Sequence, residues 1–395
     1  MNQSGKLYLA HPYLKVAVTT LAALMVLLWT GLPAAAQQSF ELADDFELRF
    51  DSGQISADGN RAHIFDVQLL HEGVPVGRAD ELRLHQTRSD DGTIHIIHDI
   101  LIRNLSFSLP DEDASLEFGL FEATELVISR PPPSDLATAE EITSYFSAVR
   151  PPAARLSDAF FVTEEDGIFM SLGQAELSSR HRQGEDGASF QADSRLHFSQ
   201  IAIGPLSSED GFNGMPDVLK MAGIDMIEAE FSVDMDMMFS GQEFELVLTS
   251  NLSANQLFEL NLAASALMDR AVLREAAVLD DLSRRGNDDA YEAQLARIMG
   301  LTSLTSADIR LADNGIVEMT GLALFAPFIQ LALVELSAEI AAMASQPVSD
   351  FFTTGGSLTI SAAPNRPVNL IQMGVLGIAP DLAIDLLGLS VRHER

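Results

Sequence analysis

From Ser39 to Arg130 apolar and polar residues alternate with a period of two, which predicts strand after strand. Phe46, Leu48 and Phe50 alternate with Glu47, Arg49 and Asp51, setting apolar groups on one face and charges on the other. Asp58-Gly59, Asp91-Gly92, Asp166-Gly167, Asp186-Gly187, Asp210-Gly211 and Asn314-Gly315 punctuate the chain. Such dipeptides suit two-residue hairpins, whose central residues both need positive φ, so an antiparallel meander is expected.

Residues 64–109 overlay residues 160–205 at a shift of 96, with Gly77-Arg78-Ala79 falling on Gly173-Gln174-Ala175. Ile94, Ile96, Ile100 and Ile102 fall on Phe190, Ala192, Leu196 and Phe198. Ile97 and Leu101 spoil the alternation of the first copy. Both copies then change parity together: Leu105 and Phe107 take over after Arg103-Asn104, and Ile201 and Ile203 after Ser199-Gln200. A shared slip of this kind predicts a shared bulge or bend. A weaker third copy starts at Leu304, where Leu304, Ala307, Asn314-Gly315 and Gly321 shadow Leu156, Ala159, Asp166-Gly167 and Gly173.

The pattern divides the chain into a first meander unit at 37–130, a proline-rich linker with a short helix at 131–153, a second meander unit at 154–266 and a mixed C-terminal part at 267–395. Within the last, a helical hairpin is expected from Leu267 to Arg285 and from Asp288 to Met299, broken at Gly286-Asn287. Ile316 to Met343 is strongly apolar and reads as a helix, kinked at Pro327, covering one face of a sheet. A strand at Ser357–Ser361, an apolar helix near Asn369–Leu376 and a last strand closing at Val391 complete the expectation. The fold class is α+β, mainly antiparallel β: duplicated curved β-meander units with helices packed on one side and a helix-rich C-terminal part.

The N-terminus changes the picture. Lys6 and Lys15 precede an uncharged apolar stretch from Val16 to Leu32, then Pro33 and Ala34-Ala35-Ala36 before Gln37. That is the order of a secretory signal peptide, cleaved after Ala36. Residues 1–36 hold the only tryptophan, Trp29, and removing them with Lys6 and Lys15 takes the net charge from −33 to −35. The remaining chain has one lysine, Lys220, and two tyrosines, Tyr145 and Tyr291. This charge repels nucleic acid and anionic lipid surfaces, and too few half-wet aromatic rings remain for a sugar platform or a barrel girdle. With no cysteine, disulfides and thiolate chemistry are excluded.

No G-x-S-x-G elbow, phosphate-cradling loop, dinucleotide fingerprint or H-E-x-x-H pair occurs. His95 and His98 are the nearest pair among His63, His71, His85, His95, His98, His181, His197 and His393, but on a regular strand they point to opposite faces. Asp80-Glu81, Asp111-Glu112-Asp113 and Asp288-Asp289 read as solvated turns and a helix cap, since none matches a calcium loop. Met226, Met235, Met237, Met238 and Met299 read as core fillers before a soft groove. No catalytic, cofactor-binding or metal-ligating residue is assigned.

The signal peptide, the repeated meander and the run Ser357-Leu358-Thr359-Ile360-Ser361-Ala362-Ala363-Pro364-Asn365-Arg366-Pro367-Val368 resemble exported proteobacterial proteins of unknown function with AsmA-like repeated β-meanders. The resemblance carries no catalytic residue. The expected protein is periplasmic or secreted, with no stable membrane span after signal cleavage, no nucleic-acid partner and no cofactor. Its expected work is non-enzymatic binding or scaffolding, with a lipid or other hydrophobic ligand in a β-groove. A carboxylate-dependent envelope hydrolase and a surface interaction module are the alternatives.

Overall fold

A computed structural model describes residues 39–41, 46–89, 94–109, 114–129, 141, 144, 151–163, 168–184, 189–204, 223–240, 243–284, 288–320, 337–373 and 382–395. They form a mainly antiparallel β protein. The strands are β1 (Ser39–Glu41), β2 (Phe46–Arg49), β3 (Ser52–Ile55), β4 (Arg61–His71), β5 (Val74–Arg88), β6 (His95–Leu109), β7 (Ala114–Ser129), β8 (Ala153–Thr163), β9 (Ile168–Gln183), β10 (Ser189–Gly204), β11 (Ile227–Ser240), β12 (Glu243–Ala254) and β13 (Phe258–Asp269). Helices α1 (Ala271–Arg284) and α2 (Asp288–Gly300) follow, then β14 (Thr302–Asp313), α3 (Ile316–Thr320), α4 (Ala338–Thr354), β15 (Ser357–Ala362), β16 (Val368–Asn369), α5 (Leu370–Met373), α6 (Leu382–Leu387) and β17 (Leu389–Glu394). The chain divides into two compact units, Met1–Arg130 with Pro152–Glu176 and Phe198–Asp217, and Pro131–Pro151 with Leu177–His197 and Val218–Arg395.

In the first unit β4 to β8 pair as consecutive antiparallel neighbours. Their core shows one recurrent irregularity. Ile64 and Val67, Ala79 and Leu82, Ile102 and Leu105, Phe118 and Phe121, and Leu156 and Ala159 each stand three apart yet pack into one cluster. On a regular strand a spacing of three points to opposite faces, so all five strands change parity along one transverse line. The line is built by left-handed residues on alternate strands: Asp66 (φ 50°), Asn104 (φ 49°) and Asp158 (φ 55°). Asp66 sits opposite Asp80, and Asn104 lies between Asp80 and Gly119, which in turn faces Asp158. The Asn104 side-chain amide donates to Asp80 Oδ2 at 2.8 Å. Gly119 leaves the room: a Cβ there would stand 3.2 Å from Asp158 Oδ2. Gly173 and Gln200 (φ 55°) repeat the device. Residues 94–107 and 190–203 thus fold as strands, with matching irregularities at Asn104 and Gln200.

In the second unit β11 to β14 form an antiparallel meander, and β14, β15 and β17 continue it. One face carries the rows Phe231–Leu252–Leu260–Leu311–Leu358, Val233–Ser250–Leu262–Ile309–Ile360–Val391 and Met235–Leu248–Ala264–Ala307–Ala362–Leu389. The other carries Ser232–Asn251–Asn261–Arg310–Thr359–Arg392.

Several expectations are corrected. Ile97, not Ile96, joins the core cluster, because β6 carries an extra residue at His98 that resets its parity. Asp58-Gly59 lies in a five-residue loop between β3 and β4, and Asn314-Gly315 leads from β14 into α3, where Asp313 Oδ1 accepts the amides of Gly315 and Val317. Among the described residues a two-residue turn is formed by Glu72-Gly73, both at positive φ (51° and 79°), between His71 and Val74. Asp91-Gly92, Asp166-Gly167, Asp186-Gly187 and Asp210-Gly211 lie outside the described residues. Leu267 belongs to β13, and α1 starts at Ala271, whose amide donates to Asp269 Oδ1 at 2.8 Å. Ile316 to Met343 is not one kinked helix: α3 covers Ile316–Thr320, and the Ser337 hydroxyl accepts the Ile340 amide at 3.2 Å to begin α4. Helix α4 then runs through Pro347 to Thr354. The tail helix is described over Leu370–Met373, its expected continuation lying outside the described residues, and the last strand extends to Glu394. The signal segment, Pro327 and most of the 131–153 linker lie outside the described residues.

Candidate functional site

The apolar face of the second unit is covered in two patches. On one side Val317, Ala344, Val348 and Phe351 from α3 and α4 close over Leu358, with Leu311 and Val391 packed against them. On the other, Leu387 from α6 and Val368 close over Leu304 and Ala362, with Ala307, Leu370, Met373 and Leu389 at their margin. Both patches sit on the face that carries Ile309 and Ile360, because 307, 309 and 311, like 358, 360 and 362, share a parity. Ile309 and Ile360 pair directly in register, belong to neither patch, and keep 40% and 36% of their surface exposed. They form the floor of a furrow between two helical walls.

The same row continues through Leu262 and Ser250 to Val233, and beside it Ala264 and Ala307 keep the neighbouring row low. Met235, at the far end of that alanine row, is 40% exposed. Four strand spacings of ~4.8 Å separate Val233 from Ile360, about 19 Å. One acyl chain reaches about 15 Å, half the hydrocarbon thickness of a bilayer. The furrow has the length and polarity for one alkyl chain, and Ser250 contributes the one hydroxyl among the floor residues named.

The opposite face holds polar chemistry. A shallow hollow of about 310 Å³ is lined by Ser232, Asp234, Asn251, Asn261, Asp308 and Arg310. Asn251 Nδ2 donates to Asn261 Oδ1 at 2.7 Å, and both amides donate to Glu259 Oε1, at 3.1 and 2.9 Å. Beside the hollow Arg195 pairs with Asp234. Burial and then the neighbouring Asp193 raise the pKa of Asp236 above the ordinary aspartate value. No sequence signal marked this carboxylate group, since its members are distant in the chain.

The histidines separate by face. His95 is 1% exposed and shares a 3.0 Å hydrogen bond with Gln86 Oε1; burial lowers its pKa, with Arg88 adding to the effect. His98 meets Thr87 and Glu125 instead. His63 contacts Glu81 Oε1 at 2.8 Å, and His393 Nε2 donates to the Gly355 carbonyl at 2.7 Å. Asp80 and Glu81 do not form a turn. They lie within β5, where Asn104 holds Asp80 and both His63 and Arg103 hold Glu81. Asp288 starts α2, and Asp111-Glu112-Asp113 lies outside the described residues. Of the five methionines read as core fillers, Met237 packs against a buried cluster, while Met226, Met235, Met238 and Met299 stay exposed by 36 to 47%. Met235 and Met237 share the apolar face, whereas Met238 falls on the polar one, which hydrophobicity alone does not reveal.

Residues 320–394 match a family model described only as an uncharacterized protein. No curated protein matches the chain. The matched stretch contains α4, β15, β17 and hence Ile360, one half of the furrow floor.

Proposed function

We propose that this chain is an exported protein of the periplasm or cell envelope that binds a lipid or other hydrophobic ligand along the furrow floored by Ile309 and Ile360. Its work there is binding or scaffolding, not catalysis. The observation that carries the reading is the exposure of two paired isoleucines on an apolar sheet face, between the two patches that helices cover. The basic, apolar, small-residue order of residues 1–36 supports export. We also infer that the meanders at 37–130 and 154–266 are copies of one unit; the left-handed residues Asn104 and Gln200, 96 positions apart, support this.

Covering the exposed part of Ile309 and Ile360 contributes about 1 kcal/mol each, roughly 0.4 of a full side-chain burial. Replacing both with Asp removes that and sets two charges in the ligand's path. The test is uptake of a fluorescent fatty acid by natively purified mature protein, with lipid mass spectrometry on the same sample. The wild type binds and carries lipid, and Ile309→Asp/Ile360→Asp weakens uptake by at least ~30-fold. Absent binding by the wild type, or equal binding by the variant, overturns the reading.

A further inference from the structure

Two backbone irregularities in the first unit converge on one point and arrange three side chains in a functional order. On the β5 side of β6, His85 pairs with Asp99 and Gln86 with Ile97, so His98 is an extra residue without a partner in the ladder. A bulge re-aims a side chain that the alternation would otherwise fix. On β7, Glu125 lies between the pairs Ile97–Leu126 and Asp99–Thr124 and holds φ at 55°, a left-handed conformation that a glutamate rarely adopts. Together they bring His98 Nδ1 to 3.1 Å from Glu125 Oε2 and His98 Nε2 to 2.9 Å from Thr87 Oγ1. Glu125 is 16% exposed and His98 30%, while Thr87 lies open to solvent. The His85 ring packs 5.0 Å from that of His98 and braces it.

A hydroxyl, an imidazole and a carboxylate in this sequence constitute an activated oxygen nucleophile. With the proton on Nδ1 directed to Glu125, Nε2 is free to accept from the Thr87 hydroxyl. We propose that Thr87, His98 and Glu125 form an acyl-transfer centre that cleaves exposed carboxylic esters. Thr87 Oγ1 forms a bond to the ester carbonyl carbon as its proton passes to His98 Nε2. The carbon–alkoxide bond breaks, and the leaving alcohol takes that proton. Water then attacks the acyl-threonine by the same route, releasing the carboxylic acid and restoring Thr87, so the net reaction consumes one water. Glu125 is a positioning residue that fixes the tautomer and stabilises the imidazolium.

The test uses full-length mature protein with p-nitrophenyl acetate, following nitrophenol release across pH and mapping the acyl adduct by peptide mass spectrometry after an acid quench. The expected result is an adduct on Thr87 and a rate that falls at least 100-fold in Thr87→Ala and His98→Gln but survives in Thr87→Ser. Glu125→Gln is expected to lower kcat while leaving KM and the site of the adduct unchanged, because the imidazole loses the group that fixes its tautomer. Thr87 is exposed, so melting curves of its variants should overlay the wild type. No adduct on Thr87, or equal rates for wild type and Thr87→Ala, overturns the proposal.

Discussion

Asn104 is the sharpest test of the transverse line that shapes the first unit. It holds φ at 49°, its amide donates to Asp80 Oδ2, and the residues on either side hand the core face from Ile102 to Leu105. Valine at this position has to adopt a left-handed backbone against its branched Cβ, which costs about 1–2 kcal/mol, and more for a β-branched residue than for asparagine. Losing the exposed hydrogen bond adds about 0.5–1 kcal/mol. The alternative, a strand that relaxes to regular alternation, turns Leu105 and Phe107 away from their present surroundings, and Phe107 is only 3% exposed. Asn104→Val should therefore destabilise by about 2–3 kcal/mol, roughly 5–10 °C in a unit of this size. Asn104→Gly loses the same hydrogen bond but relieves the left-handed strain, and the two nearly cancel. Thermal denaturation followed by circular dichroism measures both. If the valine variant melts with the glycine variant, the left-handed residue does not set the parity of β6 and the reasoning fails.

Two further predictions concern β3 and its loop. Gly53 has φ 139°, and a Cβ there would lie 2.3 Å from the His63 carbonyl oxygen and 2.6 Å from Ile64 Cα, so Gly53→Ala should detach β3 from β4 and cost at least ~2 kcal/mol; an unchanged melting temperature with protected β3 amides refutes this. The Ser56 hydroxyl, then the Asn60 backbone and side-chain amides, lower the pKa of Asp58 to about 2. Its folded value lies below the unfolded one, so the stabilisation is fully present above the ordinary aspartate range and disappears as pH falls through about 2. Carboxyl NMR titration should show that low midpoint in the wild type and a higher one in Ser56→Ala; identical midpoints exclude the hydroxyl as the main cause.

The sequence made strands legible wherever a strand buries one face, as at Leu48 in β2 and in the Phe244–Leu246–Leu248 alternation of β12. It failed where local geometry overrides the period. The two apolar residues that seemed to spoil the alternation of β6 separate cleanly: Ile97 faces the core because His98 is an inserted residue, and Leu101, opposite Arg83 and Glu122, is buried on the far side. Helix ends were misplaced where a single side chain makes the boundary, as with Asp269 before α1 and Ser337 before α4. The furrow and the Thr87–His98–Glu125 arrangement left no local trace, since each is assembled from strands that meet only through register.

The parity change at Asn104 and Gln200 has a wider basis than two matching copies. Within β4 to β8 the same change crosses five neighbouring strands, and left-handed residues supply it on every second one. A strand that changes parity beside one that does not would set apolar residues against charged ones across the pair, so the irregularity, once present in one strand, is imposed on its neighbours. That explains why Asp66 and Asp158, which no sequence comparison singled out, share the conformation of Asn104. It also divides the line into two kinds of position. On β4, β6 and β8 the left-handed residues are Asp or Asn, whose short side chains tolerate that backbone; on β7 the facing residue is Gly119, whose missing Cβ admits Asp158. Regularising one strand alone should therefore destabilise its partners as well, whereas changes that keep an αL-tolerant residue in place should leave the core face continuous.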